Sequence, residues 1–277
     1  MKHSTQTIEE HYTRAELGDL ILAALRHAGK NLEALTPEDL APIDEFHVRG
    51  REATVEMADM MGLGPATHVL DVGCGIGGPS RRLAFEYGCR VTGLDLTHEY
   101  CRVAAMLAER TGLSNQIDYR QGDALDMPFV DASFDVVWTQ HASMNIADKT
   151  GLFSEVHRVL KPGGRLAIYD IVAGGGGELH YPVPWAREPS ISFLMDAGDM
   201  REQLQNSGFD VLSWHDGTAR ALDWFHRMMA QTKINGPPQL GLHVLVGPDV
   251  EAMIANVIKN LEQNRIALVQ AVMEKAR

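Results

Sequence analysis

The 277-residue chain has little cysteine: Cys74, Cys89 and Cys101 are its three thiols, and no two of them form a C-x-x-C pair. An odd number of such cysteines argues against a disulfide framework and fits reduced thiols. The chain also lacks the apolar core of a signal peptide near its start, and no apolar run approaches the ~20 residues of a membrane span. We therefore expect a cytoplasmic protein.

Positive charge is scarce as well. The chain has 25 Lys and Arg against 37 Asp and Glu, a formal net charge of −12. Nucleic acids and anionic membrane surfaces call for basic patches, so neither is an expected partner. None of the 12 histidines has a metal-ligand spacing such as H-E-x-x-H, and we expect no metal.

Strands and helices alternate regularly through the middle of the chain. Short apolar stretches at 68–72, 90–95, 117–121, 134–139 and 165–172 predict strands, with helical stretches of about a dozen residues between them. This alternation indicates βαβ units and a parallel, doubly wound α/β sheet.

The flanking segments are less regular. Before the sheet, helices are expected at 7–28 and 50–61, with a looser stretch around Pro37 and Pro42 between them. After it we expect helices at 199–207, 219–232 and 250–262, and further strands at 208–214 and 265–273. The period of the last stretch is ambiguous between helix and strand. In the helix at 219–232 we expect Met228 and Met229 to be core residues.

A glycine-rich turn follows the first expected strand in the stretch D-V-G-C-G-I-G-G. Gly73, Gly75 and Gly78 are spaced as G-x-G-x-x-G. The first two allow a tight turn and close approach of the backbone to a ligand, and Gly78 allows the helix to pack near the strand. The spacing alone fits several adenosine-containing cofactors, and it also fits a plain turn.

Three carboxylates narrow the choice of cofactor. Asp71 directly precedes the glycines, Asp95 ends the second expected strand, and Asp123 follows the third. A carboxylate at Asp71 would repel the pyrophosphate of a dinucleotide, whereas it would attract the sulfonium and ammonium groups of S-adenosylmethionine (SAM). The charges therefore favour SAM over NAD.

With these motifs the chain resembles the class I SAM-dependent methyltransferases. The resemblance rests on V-L-D-V-G-C-G-I-G-G, V-T-G-L-D-L-T, G-D-A-L-D-M-P-F, S-F-D-V-V-W-T-Q-H and R-V-L-K-P-G-G-R-L-A-I-Y-D, in family order over 68–172. It implies a Rossmann-like, seven-stranded sheet with an antiparallel C-terminal strand and helical cap insertions. Within the class the chain is most similar to a small-molecule group that includes sarcosine/dimethylglycine N-methyltransferases, quinone-biosynthesis C-methyltransferases and tocopherol C-methyltransferases.

The resemblance implies one domain in several parts. Residues 1–65 would be an N-terminal helical extension, 66–172 the SAM-binding core, and 173–198 and 218–264 insertions that cover the substrate. It leaves open whether the protein is a homodimer.

The resemblance also assigns cofactor contacts by position. Asp71, Gly73, Cys74 and Gly75 would line the methionine part of SAM. Asp95 would bind the ribose hydroxyls. The remaining expected contacts are Leu96 against the adenine, Asp123 and Ala124 at its edge, and Gln140 near the sulfonium. Asp123 has an alternative role as a turn residue that caps its own backbone.

The acceptor side is less certain from sequence. His141 is the expected general base, since it follows Gln140 and a histidine suits proton transfer at neutral pH. Expected substrate contacts are Asn145, Tyr181, Trp185 and His243, with His180 as a further candidate. The segment 46–49 is expected to close over the cofactor.

The expected activity is methylation of a small-molecule acceptor, with N-methylation of a glycine- or sarcosine-type amine as the leading hypothesis. C-methylation of a quinol-like ring and O-methylation of a small hydroxyl compound are the alternatives. An amine would need aromatic and carboxylate groups around it and little help from a base. A quinol would need a wide apolar pocket and one essential histidine.

Overall fold

A central β-sheet organises the protein, whose structure, a computed structural model, describes residues 11–12 and 16–276. Its strands are β1 (His68–Val72), β2 (Arg90–Asp95), β3 (Ile117–Gln121), β4 (Phe134–Gln140), β5 (Leu160–Ala173), β6 (Phe209–Asp216) and β7 (Ile266–Lys275). They form one seven-stranded sheet in the order β3-β2-β1-β4-β5-β7-β6. The first five strands are parallel, and β7 is antiparallel to both β5 and β6. The expected sheet and its antiparallel C-terminal strand are confirmed.

Helices cover both faces of this sheet. They are α1 (Leu17–His27), α2 (Pro37–Asp44), α3 (Gly50–Asp59), α4 (Gly78–Tyr87), α5 (His98–Arg110), α6 (Lys149–Val159), α7 (Ala197–Asn206), α8 (Thr218–Asn235), α9 (His243–Val246) and α10 (Val250–Glu262). Successive residues of a strand point to opposite faces, so Val69 joins one buried apolar cluster and Leu70 another. Burial on both faces explains why β1 reads as an almost continuous apolar run.

The N-terminal extension is more helical than the sequence suggests. The stretch with Pro37 and Pro42, expected to be loose, contains helix α2. Pro37 occupies its first turn, where a missing N–H costs nothing, and Thr36 and Asp39 form a reciprocal capping box before it. The helix expected at 7–28 is present as α1, while 1–10 and 13–15 lie outside the described residues.

Candidate active site

Two neighbouring segments pack closely against the glycine-rich turn after β1. Gly73 and Gly75 have φ angles of 72° and 54°, in the left-handed region that favours glycine. A Cβ at Gly73 would lie 2.4 Å from the Cβ of Ala142, and one at Gly75 would lie 3.2 Å from the Phe46 ring. The turn therefore lies between the loop after β4 and segment 46–49 of the extension.

Glycine is needed at position 78 for a different reason from the one expected. A Cβ there would lie 2.1 Å from the backbone carbonyl oxygen of Asp44. The missing side chain thus admits the C-terminal end of α2 against the N-terminus of α4, and the close contact is not with β1. The expectation about the strand is corrected accordingly.

The three carboxylates lie around the same turn. Asp71 is buried and accepts a hydrogen bond from the Ser80 hydroxyl at 2.6 Å, and burial raises its pKa to about 7. Asp95 accepts one from the Gly75 N–H at 2.8 Å and one from the Thr97 N–H at 2.9 Å, and burial raises its pKa. A carboxylate oxygen has two lone pairs, so Asp95 keeps acceptor capacity for ribose hydroxyls.

The third carboxylate and the other expected cofactor residues lie along one cavity. Asp123 accepts a hydrogen bond from the Leu125 N–H at 2.9 Å, so it caps its own turn as the alternative role required. It nevertheless lines the cavity, as do Cys74, Leu96, Ala124 and Gln140. Burial raises the pKa of the Cys74 thiol, which favours a packing role over a reactive one.

This cavity has a volume of about 1190 Å³ and extends from the glycine-rich turn to helices α8–α10. The far end is mainly apolar, lined by Phe225, Met228, Leu245, Val246, Ile254 and Val257. Met228 and Met229 both line it. Met228 also packs against the core cluster, as expected, whereas Met229 is exposed, so the core expectation is wrong for Met229. Short helix α9, which the sequence pattern did not predict, brings His243 to the wall as expected.

His141 lies in the cavity wall, directly after the end of β4 at Gln140. It has a left-handed backbone, with φ of 51°, and its N–H donates to the Tyr169 carbonyl at 2.8 Å. Burial, together with nearby His47, holds the pKa of its imidazole well below the usual 6.5. The ring is therefore neutral at pH 7.

Two of the expected substrate residues hold the loop after β5 in place. The Asn145 amide donates to the carbonyls of Trp185 and Ile191, each at 2.8 Å, and its oxygen accepts from the Tyr12 hydroxyl. Trp185 is buried and donates from its indole N–H to the Ser192 hydroxyl. Both line the cavity, so they form a wall whose polar groups are already paired.

Two other expected substrate residues, Tyr181 and His180, lie outside the cavity wall. Tyr181 is part of the same loop, but it packs against the core cluster and is not among the cavity-lining residues. His180 is also absent from the wall, and its ring nitrogen faces the amide oxygen of Gln263 at 2.9 Å. Asn260 on α10 bonds both backbone polar groups of His180 and so holds this part of the loop against α10.

The sequence interpretation missed the residues that fasten the extension over the site. Arg81 and Arg82 follow the glycine-rich turn on α4 and are almost completely buried. They pair with Asp44 at 2.6 Å and Glu45 at 2.7 Å. Two adjacent arginines where a helix should face the core are the signal that could have revealed buried acidic partners. As expected, segment 46–49 lies along the cavity beside the turn.

Residues 70–168, from β1 into β5, match the family described as methyltransferase domain. This match supports the resemblance of the region to class I SAM-dependent methyltransferases. The solved structure of phosphoethanolamine N-methyltransferase 2 from Haemonchus contortus, in complex with SAM, has a similar fold. The TM-score is 0.73 at 20% identity, over 98% of this chain and 60% of that one.

Curated relatives differ in their acceptors. A sterol 24-C-methyltransferase of Gibberella zeae is 42% identical over 114 residues, 41% of this chain and 30% of that protein. A glycine/sarcosine/dimethylglycine N-methyltransferase of Actinopolyspora halophila is 32% identical over 179 residues, 65% of this chain and 31% of that protein. The chain spans 30% of the first relative's length and 51% of that of another sterol 24-C-methyltransferase, from Yarrowia lipolytica.

The residues at the turn fit SAM, the cofactor of this class. The two left-handed glycines line the cavity, and the nearby acidic groups suit a cation. Asp71, Gly73 and Gly75 would hold its methionine part and Asp95 its ribose. Among residues 11–12 and 16–276, no group of three His, Cys, Asp or Glu side chains suits a metal ion. No helix in the same described residues is long and apolar enough to cross a membrane.

Proposed function

We propose that the protein transfers a methyl group from SAM to a bulky, largely apolar small molecule, at an oxygen or an activated carbon. The observation that carries this proposal is the cavity of about 1190 Å³, which joins the glycine-rich turn to the apolar wall of α8–α10. A glycine-type amine would fill little of it. C-methylation of a ring or O-methylation of a hydroxyl compound is therefore favoured over N-methylation of such an amine.

The chain positions and encloses the acceptor. SAM, when bound, supplies an electrophilic methyl group, and transfer needs the nucleophile in line with it at about 3 Å. The apolar residues of α8 and α10 bind the body of the acceptor and exclude water. Trp185, held by its hydrogen bond to Ser192, forms a rigid part of the wall.

His141 is the residue that we assign to the proton. Its neutral ring faces the junction of the two ends of the cavity and accepts the proton that the acceptor loses as its electron pair forms the new bond. A general base of this kind contributes about 10²–10⁴-fold to the rate. An acceptor without an acidic proton would make this residue dispensable.

A substrate screen tests the proposal. Purified protein is incubated with SAM and either sarcosine or apolar ring compounds with a hydroxyl group, and release of S-adenosylhomocysteine is measured. We expect turnover with apolar compounds and none with sarcosine. Turnover of sarcosine alone would restore the amine hypothesis.

A matched pair of variants on α10 tests the role of the cavity. Ala255 lines it and Ala252, one turn earlier, does not, although both side chains are exposed. Ala255→Trp should raise the KM for an apolar acceptor about tenfold or more by filling that space, with SAM affinity unchanged. Ala252→Trp should change neither. Equal effects of the two substitutions would contradict the assignment of the acceptor to this cavity.

A further inference from the structure

Five buried polar atoms around His141 make no well-formed hydrogen bond among the described residues, although Arg49 lies near enough to the Tyr169 hydroxyl to interact with it. They are Arg49 Nη1, Gln140 Nε2, His141 Nε2, Tyr169 Oη and Gln270 Nε2. Buried polar groups in folded proteins are almost always paired, so a concentration of unpaired ones needs an explanation.

The five residues form one cluster, which we name the polar floor. Gln140 pairs with Tyr169 across β4 and β5, and Tyr169 pairs with Gln270 across β5 and β7. Directly opposed residues present their side chains on the same face of a sheet. The His141 ring lies 5.1 Å from the Tyr169 ring, and Arg49 is close enough to influence the pKa of Tyr169.

The free atoms of both glutamines are hydrogen-bond donors. The Trp138 indole N–H donates to Gln140 at 2.9 Å, so the atom facing it must be the amide oxygen. Arg220 donates to Gln270 at 3.5 Å, which fixes that amide in the same way. The unpaired end of each amide is therefore an NH₂ group, and Arg49 Nη1 is likewise a donor only.

The charge of the polar floor is positive. Arg49 donates to Glu56 at 2.6 Å, and Arg220 binds the same carboxylate. Two arginines thus face one glutamate. His47, which packs 6.0 Å from His141, has a pKa lowered to about 4 by burial, so both imidazoles are neutral at pH 7.

The polar floor opens to the acceptor cavity through three of its members. Arg49, Gln140 and His141 line the cavity, and the first two are only 8% exposed. The free atoms themselves are buried, so they lie just behind the cavity wall and are shielded from bulk water. Hydrogen bonds to a charged group are strongest in such surroundings.

We propose that the polar floor binds an acidic oxygen of the acceptor in its ionised form, either a carboxylate or the enolate or phenolate that forms when His141 takes the proton. The acceptor is then an apolar molecule with one acidic oxygen, its body on α8–α10 and its oxygen on Arg49 and Gln140. This inference rests on the proposed function, because it assumes that the cavity holds the acceptor. A cluster of donors around the guanidinium of Arg49 suits an anion better than a neutral hydroxyl or an ammonium group.

Binding of octanoate and octanamide to protein saturated with S-adenosylhomocysteine tests the carboxylate case by calorimetry. The two probes match in shape and differ in charge. We expect octanoate to bind about tenfold more tightly or better, as hydrogen bonds to charged groups exceed neutral ones. Arg49→Met should abolish this preference. Arg51→Met is the matched control, since Arg51 also lines the cavity but is half exposed and already paired with Glu38 and Glu86.

Para-nitrophenol tests the phenolate case, because its anion is yellow. Binding to the polar floor should lower its pKa and increase the colour at neutral pH, and Arg49→Met should reverse this. Tyr169→Phe removes one donor without removing a charge, and it should weaken the effect if the Arg49 variant does not fold. Equal binding of octanoate and octanamide, with no ionisation of the nitrophenol, would overturn the inference. The proposed function fails separately, by absence of methyl transfer to any acceptor.

Discussion

The guanidinium of Arg81 on α4 donates to the carboxylate of Asp44 at the end of α2 over 2.6 Å, and both side chains are almost completely buried. Arg82 makes a similar buried contact with Glu45. These pairs fasten the N-terminal extension to α4, the helix that follows the glycine-rich turn. Segment 46–49, which supplies Phe46, His47 and Arg49 to the cavity, comes directly after them. The position of the cavity wall therefore depends on two ion pairs.

Removing one partner of the first pair should be costly. Asp44→Ala leaves the Arg81 charge buried and unpaired, and we expect a loss of about 3–5 kcal/mol in the free energy of unfolding, measured in urea. Glu33→Ala is the control, because Glu33 is exposed and 4.0 Å from its partner Arg110. It should cause no measurable change. Equal stability of Asp44→Ala and the control would show that the buried pair does not hold the extension.

Gly78 controls how closely α2 approaches α4. Gly78→Ala places a Cβ 2.1 Å from the Asp44 carbonyl, so backbone must move, and we expect a loss of about 1–3 kcal/mol. Affinity for S-adenosylhomocysteine should fall too, since Gly78 is adjacent to the glycine-rich turn. At Gly64 the added methyl meets nothing within 4 Å, so Gly64→Ala serves as the control in the same urea titration and calorimetry. Wild-type values for Gly78→Ala would refute the proposed contact.

The sheet could be predicted from sequence because its signal is local. The apolar runs at 68–72, 90–95 and 117–121 coincide with β1–β3, since strands buried on both faces need continuous apolar residues. Helix α2 could not be anticipated in the same way. Its two prolines read as breaks, although Pro37 occupies a first turn, where proline is favoured.

The positions of the acidic residues at the glycine-rich turn could be predicted from sequence, whereas those of the loop residues could not. Asp71 and Asp95 lie next to strand ends, so their place follows from the order of the sheet. Tyr181 illustrates the opposite case, because whether a loop residue faces the cavity depends on tertiary contacts such as those of Asn260 with His180. Likewise, the partners of Arg81 lie 37 residues earlier in the chain, at a distance that no periodicity reveals.

Ionisation of Asp71 should couple SAM binding to pH. Burial raises its pKa from 3.8 to about 7, so between these values the native state holds more protons than the unfolded state, and stability falls as pH rises. A sulfonium cation favours the carboxylate, so SAM affinity should increase with pH until it levels off above pH 7. Asp71→Asn should weaken SAM binding and remove this dependence, measured by calorimetry from pH 6 to pH 8.

The control for this titration is Asp118→Asn, because Asp118 is exposed on β3 and pairs with Arg120. It should keep the wild-type pH dependence. If the Asp71→Asn protein showed the same rise in affinity with pH as the wild type, another group would have to be responsible for it.

Substitution of His141 tests the chemistry of transfer. His141→Ala should lower kcat about a hundredfold for an apolar hydroxyl acceptor, because no general base remains to take the acceptor's proton. The affinity for S-adenosylhomocysteine should stay unchanged. His180→Ala is the matched control, since His180 bonds Gln263 outside the cavity. This variant should methylate the acceptor at the wild-type rate. The lowered pKa of His141 keeps its ring neutral at pH 7, so wild-type kcat should be constant from pH 7 to pH 8 and fall only in acid, below pH 6.5. Near-normal turnover by His141→Ala would assign the proton to another group or to solvent.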